Sequence, residues 1–153
     1  ITGRTDHKEP YRRDVALRLG ADAVVDPSAV DPVAAVQELT KGGGDLVVEC
    51  AGHASSLANV FEYARSEGAV SMVGINIGQK ISVDLGKIQI KNLNVKGCIG
   101  SPGVWPAAIR FLERTGIDLS PIQTHHFALD QAAAAFELGK KPQEAVKVTL
   151  QIA

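Results

Sequence analysis

The sequence predicts an α/β fold built on a doubly wound parallel sheet. Apolar runs suited to buried strands alternate with amphipathic segments suited to helices up to about residue 115, and this alternation is typical of such sheets. Three strand-like runs break into loops at Cys50-Ala51-Gly52, Val73-Gly74-Ile75 and Gly97-Cys98-Ile99-Gly100. Ligands of open parallel sheets bind outside the carboxyl ends of the strands. These three turns therefore predict one side of a ligand site.

Composition and charge exclude several classes of protein. The chain has 153 residues, which fits one domain, and 45% of them are apolar. Sixteen basic and 17 acidic residues give a net charge of −1, so neither nucleic acid nor a membrane surface is expected as a partner. Cys50 and Cys98 form no CxxC pair, which indicates a reducing compartment and gives no metal signature. We expect a cytoplasmic protein.

Predicted strands and helices alternate through roughly the first fifty residues, each bounded by glycine, proline or a capping residue. They are a strand tail at Ile1–Gly3, a helix from Pro10 to Gly20, a strand at Ala23–Val25, a helix from Asp31 ended by Lys41–Gly44, and a strand at Asp45–Cys50. Gly20 suits a helix end because glycine readily takes the left-handed conformation. The apolar run Leu46–Val48 lacks polar alternation, which predicts helices on both faces of its strand.

The alternation continues and then changes character after about residue 120. We predict a helix at Ala54–Arg65, strands at Ala69–Val73, Ile81–Leu85 and Val95–Ile99, and a helix at Trp105–Arg114 with Ser101 and Pro102 at its start and Ala108, Ile109 and Leu112 inward. The final part carries a strand at Ile122–Phe127, a helix at Leu129–Leu138 and a strand at Ala145–Leu150. This α+β texture indicates a second sheet.

Four stretches of the chain carry a resemblance to a known family. They are Leu19–Asp22, Gly44–Gly52, Gly68–Gly74, and Ile122–Leu129 followed by Ala135 and Phe136. Together they resemble the second half of a medium-chain dehydrogenase/reductase of the zinc-dependent alcohol and polyol dehydrogenase type, over nearly the whole chain. The resemblance implies a Rossmann-like doubly wound sheet that lacks its first strand, with a C-terminal α+β segment from the catalytic domain.

The resemblance also implies a division into domains. Residues 1–120 would be a partial dinucleotide-binding domain, and residues 121–153 would return to the catalytic domain. In the family the first strand, its glycine-rich turn and the catalytic domain all precede the position of Ile1. The first strand lies at the centre of the sheet, so without it buried polar groups on unpaired edges would cost about 1–3 kcal/mol each. We therefore expect a fragment of a longer protein that does not fold cooperatively alone.

Gly3, Arg4 and Thr5 follow the strand whose end commonly carries an acidic ribose ligand in dinucleotide-binding folds. No acidic residue stands there in this chain. Glycine leaves room for a 2′-phosphate, and Arg4 offers it a bidentate, charge-assisted contact. This pattern favours NADP as cofactor. The alternative is an NAD enzyme in which Arg4 is solvated and Asp6 serves the ribose.

Further residues match positions that contact the cofactor in the family. The matches are Cys50, Ala51 and Gly52 on the adenine side, and Val73, Gly74 and Ile75 together with Cys98, Ile99 and Gly100 on the nicotinamide side. Lys147 matches a basic residue that reaches the pyrophosphate. The alternative interpretation is close packing of small residues at strand ends and an ordinary solvated lysine.

Neither a catalytic residue nor a metal ligand is predicted within the chain. His125 and His126 are adjacent in a predicted strand, so their side chains point to opposite faces and do not share one metal ion. They are expected in the hinge strand between domains instead. Cys98 has no candidate base beside it in the sequence, which argues against a nucleophile.

The resemblance implies the cofactor-binding part of an oxidoreductase that transfers a hydride between NADP or NAD and a small-molecule alcohol or polyol. Zinc is implied in the missing catalytic domain, where it would polarise the substrate oxygen, so this fragment alone would be inactive. The strand region at residues 95–103 would meet its counterpart in a homo-oligomer. Two alternatives are a zinc-free quinone or enoyl reductase of the same superfamily and a truncated, non-catalytic nucleotide-binding module.

Overall fold

A computed structural model describes residues 1–3, 11–141 and 144–152. Its helices are α1 (Tyr11–Arg18), α2 (Pro32–Thr40), α3 (Ala54–Ala58), α4 (Gly86–Ile90), α5 (Trp105–Thr115) and α6 (Ala132–Gly139). Its strands are β1 (Gly44–Glu49), β2 (Ala64–Met72), β3 (Asn94–Gly97), β4 (Gln123–Ala128) and β5 (Lys147–Gln151). These elements form two compact units, Val30–Gly103 and Ile1–Ala29 together with Val104–Ala153.

The unit of residues 30–103 is built on a parallel three-stranded sheet in the order β1-β2-β3. Val47, Val70 and Val95 lie in one register row, so their side chains share a face of the sheet. That face carries the core, whose buried residues are Val60, Phe61, Ala64, Val70 and Leu93. Parallel strands joined by helical connections confirm the predicted α/β class.

The sequence signals at both ends of α2 are confirmed. The carboxylate of Asp31 accepts hydrogen bonds from the N–H groups of Val33 and Ala34, at 2.9 and 3.4 Å. Pro32 occupies the first turn, where its missing N–H costs nothing. Lys41 ends the helix with a φ of 57°, in the left-handed region. Gly42 and Gly43 then lead directly into β1, which begins at Gly44.

The predicted helix Ala54–Arg65 is wrong beyond Ala58. After α3 the chain turns, and β2 begins at Ala64, earlier than predicted. The Nζ of Lys91 donates hydrogen bonds to the carbonyl oxygens of Phe61 and Ala64, at 2.8 and 2.9 Å. The N–H groups of Asn59, Val60 and Glu62 donate to the carbonyls three residues before them, so the chain after α3 continues in tight turns and Lys91 holds the segment that leads into β2.

The predicted edge strand Ile81–Leu85 is also wrong, since these residues form no regular element. Val83 packs against the core of the unit. The next residue, Asp84, accepts a hydrogen bond from the N–H of Gly86 at 3.0 Å, and α4 begins at Gly86. The apolar alternation therefore reflects a loop that buries one side chain and then turns into a short helix.

Helix α5 has the predicted position but a different start and environment. Val104 precedes its first turn without a side-chain cap, so the predicted cap at Ser101 and Pro102 is wrong. The residues predicted to face inward, Ala108, Ile109 and Leu112, are exposed. Helical spacing identifies an apolar face but not the surface that covers it.

The prediction that both faces of β1 are buried is wrong for two of its residues. The side chains of Leu46 and Val48 are 60% and 52% exposed. They alternate with Val47, whose face of the sheet carries the core. The unbroken apolar run therefore predicts the strand correctly, but the predicted burial of its second face is wrong.

The second unit begins with the predicted strand tail. The N–H of Gly3 donates to the carbonyl of Val25 at 3.0 Å, and the N–H of Val25 donates to the carbonyl of Ile1 at 2.8 Å. These bonds form an isolated parallel bridge between Thr2 and Val25. The predicted strands at Ile1–Gly3 and Ala23–Val25 are therefore adjacent, although each is reduced to one bridge. The helix α1 follows and ends before Gly20, whose φ is 99°.

The final elements form the second sheet that the change of texture predicts. Strands β4 and β5 pair in parallel, with Phe127 opposite Leu150. Between α6 and β5 lies an apolar cavity of about 440 Å³, which Ala135, Phe136, Val148 and Leu150 help to line. No helix in the described part of the chain has both the length and the apolar character needed to cross a membrane.

Candidate functional site

Three strand-end turns come together in the unit of residues 30–103, as the sequence predicts. The N–H groups of Val73 and Gly74 both donate to the carbonyl of Glu49 at 2.8 Å, which joins the end of β2 to the end of β1. The N–H of Cys98 donates to the carbonyl of Met72 at 2.8 Å, which joins the end of β3 to β2. The turns at Cys50–Gly52, Val73–Ile75 and Cys98–Gly100 therefore line one edge of the sheet.

These turns present small and apolar groups to their surroundings. The exposed side chains are those of Cys50, Ala51, Val73, Ile75, Cys98 and Ile99. Ile75 and Ile99 are 60% and 80% exposed, so the turns present large aliphatic side chains to their surroundings. Such a surface suits the flat face of an aromatic ring better than a charged group.

Close approach of two turns explains two of the glycines. A Cβ on Gly74 would lie 2.2 Å from the backbone nitrogen of Gly52, and a Cβ on Gly52 would lie 2.6 Å from the carbonyl oxygen of Ile75. Gly52 also has a φ of 60°, which side chains other than glycine rarely adopt. The adenine-side and nicotinamide-side turns of the prediction therefore contact each other through their backbones.

Glu49 holds this junction, and the sequence reasoning missed it. Its side chain is buried, with 3% relative exposure. Its Oε1 accepts hydrogen bonds from the N–H groups of Ala51 and Gly52, at 3.0 and 3.1 Å, and from the hydroxyl of Ser56 at 2.7 Å. The signal available in the sequence was an acidic residue at the end of an otherwise apolar strand.

The two thiols differ in their surroundings although both are free and exposed. The Sγ of Cys98 lies 3.2 Å from the Oγ of Ser71. Cys50 has no such neighbour among the described residues. No described histidine lies beside either thiol as a hydrogen-bond partner, so the geometry gives neither one an activating base.

Charged groups elsewhere in this unit support its fold. Glu62 pairs with Lys87 at 3.0 Å and with Lys91 at 3.6 Å. The hydrogen bond to Glu62 and the attraction of its charge raise the pKa of Lys87. Burial raises the pKa of the Tyr63 phenol. These groups surround the turn before β2 rather than the three strand-end turns.

The remaining predicted site residues lie in the other unit or outside the described residues. Gly3 takes part in the parallel bridge with Val25, while Arg4 and Thr5 fall outside the part that the structure describes. Lys147 begins β5 with an exposed side chain, and its carbonyl accepts a hydrogen bond from the hydroxyl of Thr124 at 3.1 Å.

The two adjacent histidines lie in β4, the predicted strand. The Nδ1 of His125 is 3.0 Å from the Oγ1 of Thr124, and the Nδ1 of His126 is 2.7 Å from the Oγ1 of Thr149. Both rings are thus engaged by threonine hydroxyls. Within residues 1–3, 11–141 and 144–152, no three His, Cys, Asp or Glu side chains gather as metal ligands would.

Comparison with known proteins gives the class. The family model described as zinc-binding dehydrogenase matches residues 2–114. An L-threonine 3-dehydrogenase from Bacillus subtilis is 31% identical over 140 residues, which cover 89% of this chain and 40% of that protein. An erythritol/L-threitol dehydrogenase from Mycolicibacterium smegmatis is 31% identical over 143 residues, which cover 92% of this chain and 39% of that protein.

Solved structures agree with this assignment. The 2R,3R-butanediol dehydrogenase of Bacillus subtilis superposes with a TM-score of 0.85 at 27% identity, over 99% of this chain and 43% of that one. A zinc-binding dehydrogenase from Sinorhizobium meliloti, solved with bound NADP, gives a TM-score of 0.79 at 28% identity, over 97% and 43% of the two chains.

The parallel sheet with its strand-end turns is of the open α/β type, in which ligands bind at the carboxyl ends of the strands. The chain belongs to the zinc-binding dehydrogenase family. It spans about 40% of the length of the curated relatives that it matches. The predicted resemblance to the medium-chain, zinc-dependent dehydrogenases is thereby confirmed.

Proposed function

We propose that this chain is the cofactor-binding part of a longer dehydrogenase that transfers a hydride between NADP or NAD and an alcohol or polyol. The observation that carries the proposal is the junction of three turns at the carboxyl ends of β1, β2 and β3, where parallel sheets bind ligands. The relatives are named for threonine, erythritol or threitol, and butanediol, all of them small molecules with hydroxyl groups.

The residues at the junction fit a dinucleotide. Ala51 and the adjacent Gly52 leave a ring or ribose free to approach the backbone, and the exposed Ile75 and Ile99 provide apolar contact for a ring face. The buried Nδ2 of Asn76 lacks a hydrogen-bond partner among the described residues. We assign Cys50, Ala51 and Gly52 to the adenine side and Val73–Ile75 with Cys98–Gly100 to the nicotinamide side.

The chain's own contribution to the reaction is orientation. When bound, the nicotinamide accepts or donates the hydride. The backbone at Val73–Ile75 and Cys98–Gly100 holds the face of that ring toward the substrate, and Lys147 supplies positive charge for the pyrophosphate. We propose no acid, base or metal ligand from this chain, and zinc would be held by residues of the catalytic domain outside it.

The sequence favours NADP through Gly3, Arg4 and Thr5, and the related Sinorhizobium structure holds NADP. An Arg4→Ala variant of the complete polypeptide is expected to weaken NADPH binding at least about tenfold more than NADH binding, because a lost charge-assisted pair affects only the 2′-phosphate. Fluorescence titration with both nucleotides measures this. Equal effects would refute the NADP assignment.

We further propose the organisation of the complete enzyme. Residues 1–120 form the partial dinucleotide-binding domain, residues 121–153 return to the catalytic domain, and residues 95–103 meet their counterpart in a homo-oligomer. The balanced charge of the chain supports a cytoplasmic protein without nucleic-acid or membrane partners. A sedimentation measurement on the complete enzyme tests the oligomer, and an Ile99→Asp variant, at a side chain that is 80% exposed, should dissociate it.

The second candidate function is a nucleotide-binding module without catalysis. It would bind the nucleotide through the same three strand-end turns, none of which carries an acid or base to which the proposal gives a catalytic role. A zinc-free quinone or enoyl reductase is the third candidate, and it would use the same turns. The three candidates differ in turnover and in metal dependence.

One experiment separates these functions. NADPH or NADH is added to the complete polypeptide and protection against thermal unfolding is recorded. Turnover is then assayed with polyols and NADP⁺ or NAD⁺, and with a quinone and NADPH, before and after zinc is removed by a chelator. The proposal expects protection and zinc-dependent oxidation of a polyol. Protection without turnover supports the module, chelator-resistant reduction of a quinone supports the zinc-free reductase, and no protection by either nucleotide refutes all three.

A further inference from the structure

We propose that Glu49 is a positioning residue that locks the adenine-side turn at residues 50–52 to the nicotinamide-side turn at residues 73–75 and thereby sets the affinity for the dinucleotide. This inference rests on the proposed function, since it concerns the same site. Glu49 itself would not touch the cofactor, because its side chain is buried behind both turns.

The side chain of Glu49 holds the first turn. Its carboxylate accepts hydrogen bonds from the N–H groups of Ala51 and Gly52, and Gly52 lies 3.1 Å from each of the two carboxylate oxygens. The hydroxyl of Ser56 in α3 adds a bond of 2.7 Å, the shortest of the set. Hydrogen bonds to a charged acceptor are stronger than neutral ones, so this carboxylate fixes the backbone of the turn firmly.

The backbone of the same residue holds the second turn. The carbonyl of Glu49 accepts hydrogen bonds from the N–H groups of Val73 and Gly74, both at 2.8 Å. One residue therefore organises two turns, one through its side chain and the other through its main chain. A shift of Glu49 must move both turns.

Gly74 shows how tightly the carboxylate fits between the turns. A Cβ on Gly74 would meet the Oε2 of Glu49 as well as the nitrogen of Gly52. The carboxylate thus occupies the space that any side chain at position 74 would need. Its removal would leave a gap at the junction and would take the carboxylate acceptor from three partly buried hydrogen bonds, those of Ala51, Gly52 and Ser56.

The consequences can be worked out for a conservative substitution. In Glu49→Gln the side chain keeps its length, and its remaining oxygen at the Oε1 position can still accept from Ala51, Gly52 and Ser56. The new NH₂ group would face the N–H of Gly52 at the former Oε2 position, where two donors repel each other. We expect the turn at Gly52 to shift and the dissociation constant for NADPH to rise about tenfold.

Glu62→Gln provides a matched control. It is the same chemical change in the same unit, at a side chain that pairs with Lys87 and Lys91 before β2 rather than at the junction. A merely structural role for Glu49 predicts that both variants lose stability and keep their cofactor affinity. A positioning role predicts that only Glu49→Gln changes the affinity.

The test uses the complete dehydrogenase polypeptide with NADPH as the probe. We expect Glu49→Gln to raise both the dissociation constant and the KM for NADPH about tenfold while the KM for the alcohol changes less than twofold, and Glu62→Gln to leave all three constants unchanged. Hydrogen exchange at the amides of Ala51 and Gly52 should accelerate only in Glu49→Gln. Equal cofactor affinity in Glu49→Gln and the wild type would overturn the inference.

Binding by the wild type and binding by the variant distinguish failure of the proposed function from failure of the inference about Glu49. If the wild type binds neither NADPH nor NADH, the proposed function fails and the inference falls with it; if the wild type binds and Glu49→Gln binds equally well, only the inference fails. If Glu49→Gln does not fold, Ser56→Ala takes its place. This variant removes one hydrogen bond to the carboxylate and leaves the residues of both turns unchanged. Weaker NADPH binding by Ser56→Ala, by about threefold, supports the inference, and unchanged binding overturns it.

Discussion

Replacing Gly74 with alanine tests the packing of the two turns most directly. The added Cβ would lie 2.2 Å from the backbone nitrogen of Gly52 and 2.4 Å from a carboxylate oxygen of the buried Glu49. Both neighbours are held in place, since Gly52 donates to Glu49 and Glu49 is hydrogen-bonded to two turns. The φ of Gly74 lies outside the left-handed region, so the backbone itself accepts alanine and the expected effect is purely steric.

The magnitude follows from the required movement. Ordinary contacts of a Cβ begin at about 3.4 Å, so the turns must separate by roughly 1 Å or more. Overpacking of this size typically costs about 1–3 kcal/mol, and the separation also lengthens the bond from Gly74 to the carbonyl of Glu49. We expect the complete protein to lose about 1–3 kcal/mol of stability and to bind NADPH more weakly.

Gly97→Ala is the matched control for this measurement. A Cβ on Gly97 would meet nothing within 4 Å, and its φ is also outside the left-handed region. Alanine there should leave stability unchanged or raise it by up to about 1 kcal/mol, through the lower entropy of the unfolded chain. Urea unfolding of both variants, with slopes compared to the wild type, gives the difference. If Gly74→Ala and Gly97→Ala have the same midpoint, the close approach of the turns is refuted.

Two further substitutions probe the fold, one in each compact unit. Lys91→Met should cost about 1–3 kcal/mol in urea unfolding, because carbonyls of the turn before β2 lose their donor; a loss no larger than that of the exposed Lys96→Met would contradict this. The backbone N–H and then the hydroxyl of Ser120 lower the pKa of Asp118, so Ser120→Ala should raise it in an NMR titration. Because folding lowers the pKa of Asp118, its hydrogen bonds with Ser120 stabilise the wild type above the pKa of the unfolded chain, and this stabilisation is lost as the pH falls through the pKa of the folded protein. An unchanged pKa of Asp118 in Ser120→Ala would exclude the hydroxyl as a cause.

Sequence signals predict elements well where the determinants are local. The helix α2 begins at its Asp31 cap and ends at Lys41 because both residues act on their nearest backbone groups. The three strand-end turns were predicted for a similar reason, since small residues directly follow apolar runs. Structure that depends on residues close together in the chain can be predicted from a single sequence.

Predictions failed where a distant group decides the conformation. The chain after α3 forms turns instead of the predicted helix, and Lys91, about thirty positions later, donates to the carbonyls of Phe61 and Ala64 there. Glu49 was missed because its role depends on a turn that follows it and a strand end from another part of the chain. An acidic residue at the end of an apolar strand is ordinary at the surface, and only its burial identifies it as a partner of the turns.

The three turns are not equally fixed, and this difference bears on how the site would meet a cofactor. The turns at residues 50–52 and 73–75 share Glu49 and two glycines in mutual contact, so neither can move without the other. The turn at residues 98–100 is joined to β2 by the bond from Cys98 to Met72, and Ile99 within it is largely exposed. Preorganised groups bind without paying an ordering cost, whereas freer ones adapt. Under the proposed assignment, the rigid junction of residues 50–52 and 73–75 should therefore set the affinity for the dinucleotide, and adjustment to the nicotinamide ring should fall to the turn after β3.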